Sequence, residues 1–132
     1  MGNHGPEDVG VLVVDDQPFF RDAVRVVLDT LVGFSAVGEA SSGIEAMVVV
    51  AQLRPELVLI DVRMPGMNGI EAARRIMAGH PETVVVLIST DDIAADDAAS
   101  VRSCGAVAFI RKQDFRASLL RAVWAQHGQR LV

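Results

Sequence analysis

Two short stretches decide the architecture: Val-Leu-Val-Val-Asp-Asp at residues 11–16 and Leu-Val-Leu-Ile-Asp at residues 57–61. Each is a run of four apolar residues, strand length rather than helix length, that ends abruptly in acid. Unbroken apolar runs suit strands covered on both faces, as in a parallel sheet wound by helices, and such sheets place their chemistry at the carboxyl ends of the strands. Asp15, Asp16 and Asp61 are therefore expected at one edge. Carboxylates ~5 Å apart at an effective dielectric of ~20 repel by roughly 3 kcal/mol per pair, a large share of a small domain's net stability. A divalent cation is the natural counter-charge.

Working outward, apolar runs alternate with helical periodicity five times, the pattern of a (βα)5 α/β fold. The first strand is Val9 to Val14. The helix after it starts near Pro18, turns Phe20, Val24, Val27, Leu28 and Leu31 to one face, and stops at Gly33. A short strand at Ser35 to Glu39 precedes a serine-capped helix that Pro55 terminates. After the strand Leu57 to Ile60, the loop Met-Pro-Gly-Met-Asn-Gly at 64–69 makes a tight irregular turn. The third helix turns Ile70, Ala73, Ile76 and Met77 inward and pairs Glu71 with Arg75.

The fourth strand, Val84 to Ile88, leads into Ser89 and Thr90. Helix four, roughly Ile93 to Ser103, has a thin apolar stripe and should be the least firmly docked. Strand five is Ala106 to Ile110, followed by Lys112 and a last helix from about Asp114 to His127. There Leu119 and Ala122 suit burial, while Leu120 and Trp124 form an apolar strip that is either core or a partner or dimer surface.

The chain has 132 residues, 51% of them hydrophobic, enough for one self-sufficient domain. Residues 1–8 read as a flexible tail and 9–132 as the domain. A net charge of −5 with no basic cluster argues against direct nucleic-acid binding. No apolar run approaches the ~20 residues that span a bilayer, and the opening Met-Gly-Asn-His-Gly-Pro-Glu-Asp-Val-Gly, without a basic region or apolar core, does not read as a signal peptide. A single cysteine, Cys104, excludes an intrachain disulfide and fits a reducing cytoplasm. His4, His80 and His127 are too scattered to suggest a metal or catalytic site.

At the carboxyl edges, Asp15, Asp16, Asp61, Ser89 and Lys112 together form a phosphoryl-transfer kit. Hard carboxylate oxygens suit Mg²⁺, an aspartate can form an acyl phosphate, and a hydroxyl and an ammonium can hold the transferred group's oxygens. A lone aspartate after a strand is more often a helix cap or turn residue, and Phe109 taken alone reads as core. The combination carries the functional reading. Counting forward from Pro81 places the hydroxyl at Ser89, whereas counting back from Gly105 places it at Thr90; strand registry favours Ser89.

The segments VVDD, IDVRMPGMNG, LIST and GAVAFIRK resemble, in order and spacing, the CheY-like receiver domain of bacterial two-component response regulators. The resemblance runs from about Val9 to His127, and MPGMNG with the Lys112–Gln113 junction looks most like the NarL/LuxR-type regulators. It implies a flavodoxin-like sheet of strand order 2-1-3-4-5, with Asp61 as phosphoacceptor. Asp15, Asp16, Asp61 and the backbone carbonyl of Arg63 would bind Mg²⁺, and Ser89, Phe109 and Lys112 would be the switch hydroxyl, switch aromatic and active-site lysine. The implied partner is a sensor histidine kinase. The implied output is transcription through a DNA-binding domain absent from this chain, in a self-phosphorylating and autodephosphorylating switch rather than a turnover enzyme. A stand-alone receiver and a phosphorylation-independent interaction module are the alternatives. Gln113 stands where receivers often carry proline, and the Arg63 guanidinium is placed to reach Asp91 or a phosphoryl oxygen.

Overall fold

Five strands, β1 (Val9–Val14), β2 (Phe34–Ala40), β3 (Leu57–Asp61), β4 (Val84–Ser89) and β5 (Ala108–Arg111), alternate with α1 (Pro18–Asp29), α2 (Gly43–Leu53), α3 (Gly69–Gly79), α4 (Ala98–Ser103) and α5 (Ala117–His127). They are seen in a computed structural model that describes residues 7–91 and 98–128. Most of the expected tail and residues 93–97 of the expected fourth helix lie outside the described residues. All adjacent strands pair in parallel, in the order β2-β1-β3-β4-β5, as the resemblance implied.

Every residue of β1, β3 and β4 is buried, which is why these strands are apolar without alternation. Alternate side chains feed two cores. Leu12, Val14, Val58, Ile60, Val85 and Leu87 pack toward α2 and α3. Val11, Val13, Leu59, Val86 and Ile88 pack toward Val24 and Leu28 of α1 and Leu120 of α5. Helices on both faces leave the two strand-end edges as the places where polar side chains can gather.

Local chemistry sets the helix ends. Ser42 Oγ caps α2 by accepting from the Glu45 amide at 3.0 Å, while Glu45 Oε1 accepts from the amide of Ser41, one residue upstream of the cap, at 2.7 Å. Ser42→Ala is expected to cost about 1 kcal/mol, measured as a shift in the urea unfolding midpoint. Asn68 Oδ1 caps α3 by accepting from the Glu71 amide at 2.9 Å. Glu71 pairs with Arg75 as expected and also with Arg74, at 2.8 and 2.7 Å. These exposed pairs add little to stability.

Several boundaries differ from expectation. Helix α1 stops at Asp29, because Thr30 caps it with Oγ1 donating to the Val27 carbonyl at 2.7 Å; Gly33, at φ +93°, instead turns the chain into β2. Strand β2 is one residue longer at each end than expected and slips register between its pairings with Val11 and Leu12, leaving Val37 exposed. Strand β5 begins at Ala108. The segment Lys112–Asp114 is a 3-10 turn, so α5 starts at Ala117 rather than Asp114.

The face of α5 is also revised. Leu120 is fully buried and Ala122 is exposed. Trp124 docks edge-on against Phe34 with ring centroids 6.4 Å apart, so this apolar strip is core. None of the residues of α4 is buried, in keeping with a loosely docked helix. Cys104 is buried, with Sγ 3.2 Å from the Val101 carbonyl, a core residue rather than an exposed thiol.

Candidate functional site

Strands β1 and β3 are hydrogen-bonded neighbours, so their carboxyl ends bring Asp15, Asp16 and Asp61 together. One carboxylate oxygen from each lies within 4.8 Å of the others. Asp15 and Asp61 are buried and Asp16 is half-buried. Lys112, just beyond β5, reaches across with Nζ 2.6 Å from Asp15 Oδ2 and 3.7 Å from Asp61 Oδ2. The ammonium also sits 4.6 Å from the Phe20 ring centroid, and Phe20 packs edge-on against Phe115 at 5.9 Å. Lys112 is the chain's one lysine, the other eleven basic residues being arginine. The site thus holds a compact point charge rather than a planar fork.

Three carboxylates and one ammonium leave the ionised site at −2. The Asp61 carboxyl pKa is consequently pushed up to about 6, first by burial and then by the charge of Asp15, against the opposing pull of Lys112 and the Arg63 amide. Arg63 N–H donates to Asp61 Oδ1 at 3.3 Å and Gln17 N–H to Asp15 Oδ1 at 2.8 Å. Although Lys112 Nζ lies close to Asp15 Oδ2, its approach is not aligned as a hydrogen bond, and this buried oxygen makes none. A buried carboxylate oxygen lacking directed donors, beside two more carboxylates, suits a hard divalent cation such as Mg²⁺.

Ser89 ends β4 and is buried, whereas Thr90 is exposed. Ser89 Oγ accepts from the Asp91 amide at 3.2 Å. Phe109 pairs in register with Leu87 and is half-buried against the core on the α2–α3 side. The Arg63 side chain is exposed and forms no ion pair with Asp91, because a solvated guanidinium gains little from an exposed acid.

Close behind Asp61 runs the start of α3. A Cβ added at Gly69 would lie 2.2 Å from the Asp61 carbonyl oxygen and 2.8 Å from its carbonyl carbon, so only hydrogen fits there. Sequence reasoning also passed over Arg21. Its Nη1 donates to the Asp15 carbonyl at 2.6 Å and its Nε to Glu39 Oε1 at 2.8 Å. One signal was available: a cation near the start of a helix opposes the helix dipole and so has its partner elsewhere.

The family model for the response regulator receiver domain matches residues 11–124, which include all of these positions. The chain belongs to that family. As a receiver domain it resembles that of NarL from Mycobacterium tuberculosis at a TM-score of 0.83 and 34% identity, over 95% of this chain and 100% of that one. The uncharacterized transcriptional regulatory protein YxjL of Bacillus subtilis is 33% identical over 119 residues, 90% of this chain and 54% of that protein. A protein-glutamate methylesterase/protein-glutamine glutaminase of Geobacillus kaustophilus is 40% identical over 104 residues, 79% of this chain and 30% of that protein. The receiver domain therefore spans about half or less of these curated relatives. Among the described residues, no helix is long and apolar enough to cross a membrane.

Proposed function

We propose that this receiver domain takes a phosphoryl group on Asp61 from a phosphohistidine of a partner sensor kinase. A carboxylate oxygen of Asp61 attacks phosphorus, the P–N bond breaks, and the imidazole leaves with the bonding pair. Asp15, Asp16, Asp61 and the Arg63 backbone carbonyl would hold Mg²⁺, which when bound neutralises charge on the phosphoryl oxygens. The observation that carries this reading is the convergence of three carboxylates within 4.8 Å around a lysine that already bridges two of them.

Lys112 lies nearer Asp15 than Asp61, and a dianion on Asp61 would draw it across. Ser89 would donate its hydroxyl to the new phosphoryl oxygen, giving up its contact with the Asp91 amide. Phe109 would then move toward the space Ser89 leaves, shifting the face made by α4, β5 and α5. Inverting a 1:99 population takes about 5.5 kcal/mol of differential contact, within reach of a few charge-assisted hydrogen bonds. In this reading the domain works in the cytoplasm as a switch rather than a turnover enzyme. Its output is transcription through a DNA-binding domain outside this chain, in line with the transcriptional regulatory protein of Bacillus subtilis that it resembles.

Intact-mass measurement after incubation with acetyl phosphate and Mg²⁺ tests the reading. One phosphoryl adduct is expected on the wild type and none with a chelator or on Asp61→Asn. Equal labelling of Asp61→Asn, or no adduct on the wild type, would overturn it.

A further inference from the structure

We propose that Arg21 is a positioning residue for the acidic pair: it locks the Asp15–Asp16 turn to β2, and so sets divalent-cation affinity without touching the cation. The inference rests on the reading of Asp15, Asp16 and Asp61 as a metal site. Three of the four polar groups of Asp15 are committed elsewhere. Its N–H donates to the Ala40 carbonyl at 3.0 Å, its carbonyl accepts from Arg21 Nη1 at 2.6 Å, and its Oδ1 accepts from the Gln17 amide at 2.8 Å. Its Oδ2 accepts no hydrogen bond and lies against Lys112. The Asp15 carbonyl and the Asp16 amide share one rigid plane, so a donor that fixes the first fixes the frame from which Asp16 extends.

Arg21 can hold that plane because it is itself held. Its Nε donates to Glu39 Oε1 at 2.8 Å, and Arg25 pairs with the other Glu39 oxygen. Arg21 and Glu39 are both largely shielded, at 18% and 23% side-chain exposure, so the pair is screened less than a surface ion pair. Glu39 lies opposite Val13 in the β1–β2 register, one residue before the Ala40 that binds the Asp15 amide. The result is a closed loop of contacts: Asp15 carbonyl, guanidinium, Glu39, β2, and back to the Asp15 amide. A guanidinium's planar fork can donate in two directions at once, which an ammonium on a flexible stem does poorly. Outer-shell partners that orient ligands are commonly worth 10–100-fold in metal affinity.

Titration with Mn²⁺, following the free ion by electron paramagnetic resonance, tests this on the intact chain. Arg21→Met, which keeps an apolar stem, is expected to weaken binding about 10-fold. Arg21→Lys should restore part of the loss, and Glu39→Gln should weaken binding in the same direction. Arg25→Met also removes a contact to Glu39 but none to Asp15, and should stay within about 2-fold of the wild type. In an Asp16→Asn background the Arg21→Met effect should shrink, because a residue acting through Asp16 has nothing left to aim. A wild type that binds Mn²⁺ while Arg21→Met binds it as well as Arg25→Met does would overturn the proposal alone. A wild type that binds no Mn²⁺ would overturn the metal-site reading beneath it.

Discussion

Asp61→Asn is expected to be more stable than the wild type at pH 8 without metal, by about 3 kcal/mol. Burial and the Asp15 charge push the folded Asp61 carboxyl up to about 6 from the ordinary aspartate value of 3.8. Between about pH 4 and 6 the folded chain keeps a proton that the unfolded chain has lost. Stability therefore falls as pH rises through that window, and the full penalty is present above it. Asparagine has no charge to desolvate and none to repel Asp15. In urea the midpoint of Asp61→Asn should exceed that of the wild type by about 1.5 M at pH 8, for an m value of ~2 kcal/mol/M, and by much less at pH 4.5.

Other titrating groups are common to both proteins and largely cancel in the difference. Saturating Mg²⁺ at pH 8 should raise the wild type by about 2–3 kcal/mol at a hundred times its dissociation constant and move Asp61→Asn far less. Parallel pH profiles for the two proteins would show that Asp61 carries no such burden. The variant predicted to abolish phosphorylation is thus the one predicted to stabilise the metal-free fold, the trade expected where a site stores like charges for function.

Gly69→Ala is expected to destabilise the chain by about 3 kcal/mol and to slow phosphoryl transfer to Asp61. The cause is steric: the new methyl would meet the Asp61 carbonyl at 2.2 Å and the Val62 Cα at 2.9 Å. All the close atoms are backbone, so the clash is relieved only by moving α3 away from the end of β3 or by tilting the peptide after Asp61. Either movement displaces the carboxylate and the Arg63 amide that binds it. Gly79→Ala is the matched control, since a Cβ there meets nothing within 4 Å at the other end of the same helix. That substitution should be neutral or stabilising by a few tenths of a kcal/mol. Equal unfolding midpoints for the two variants would show that the β3–α3 approach is not tight in solution.

Much of this was legible in the linear chain. Runs such as 57–60 can be apolar throughout only where both faces are covered, so they announce a parallel sheet and place Asp61 at its edge. Strand registry ends β4 at Ser89, and the structure buries Ser89 and exposes Thr90. The end of the fold was read less well. Lys112–Asp114 make a turn of their own, and the face of α5 that meets the sheet is the one bearing Leu120, not Ala122. Helical spacing there supports two neighbouring faces, and only the Phe34 ring and the β1–β3–β4 surface choose between them.

The sequence by itself determined the fold class and the strand edge at which Asp15, Asp16, Asp61 and Lys112 meet, because period, run length and strand-terminal polarity are local properties of a chain. Tertiary structure alone decided how those groups face one another: Lys112 nearer Asp15 than Asp61, Arg21 on the Asp15 carbonyl, Gly69 against the Asp61 backbone. Each of those contacts joins residues whose separation in space is set by how strands and helices pack. No spacing along the chain encodes a distance of that kind.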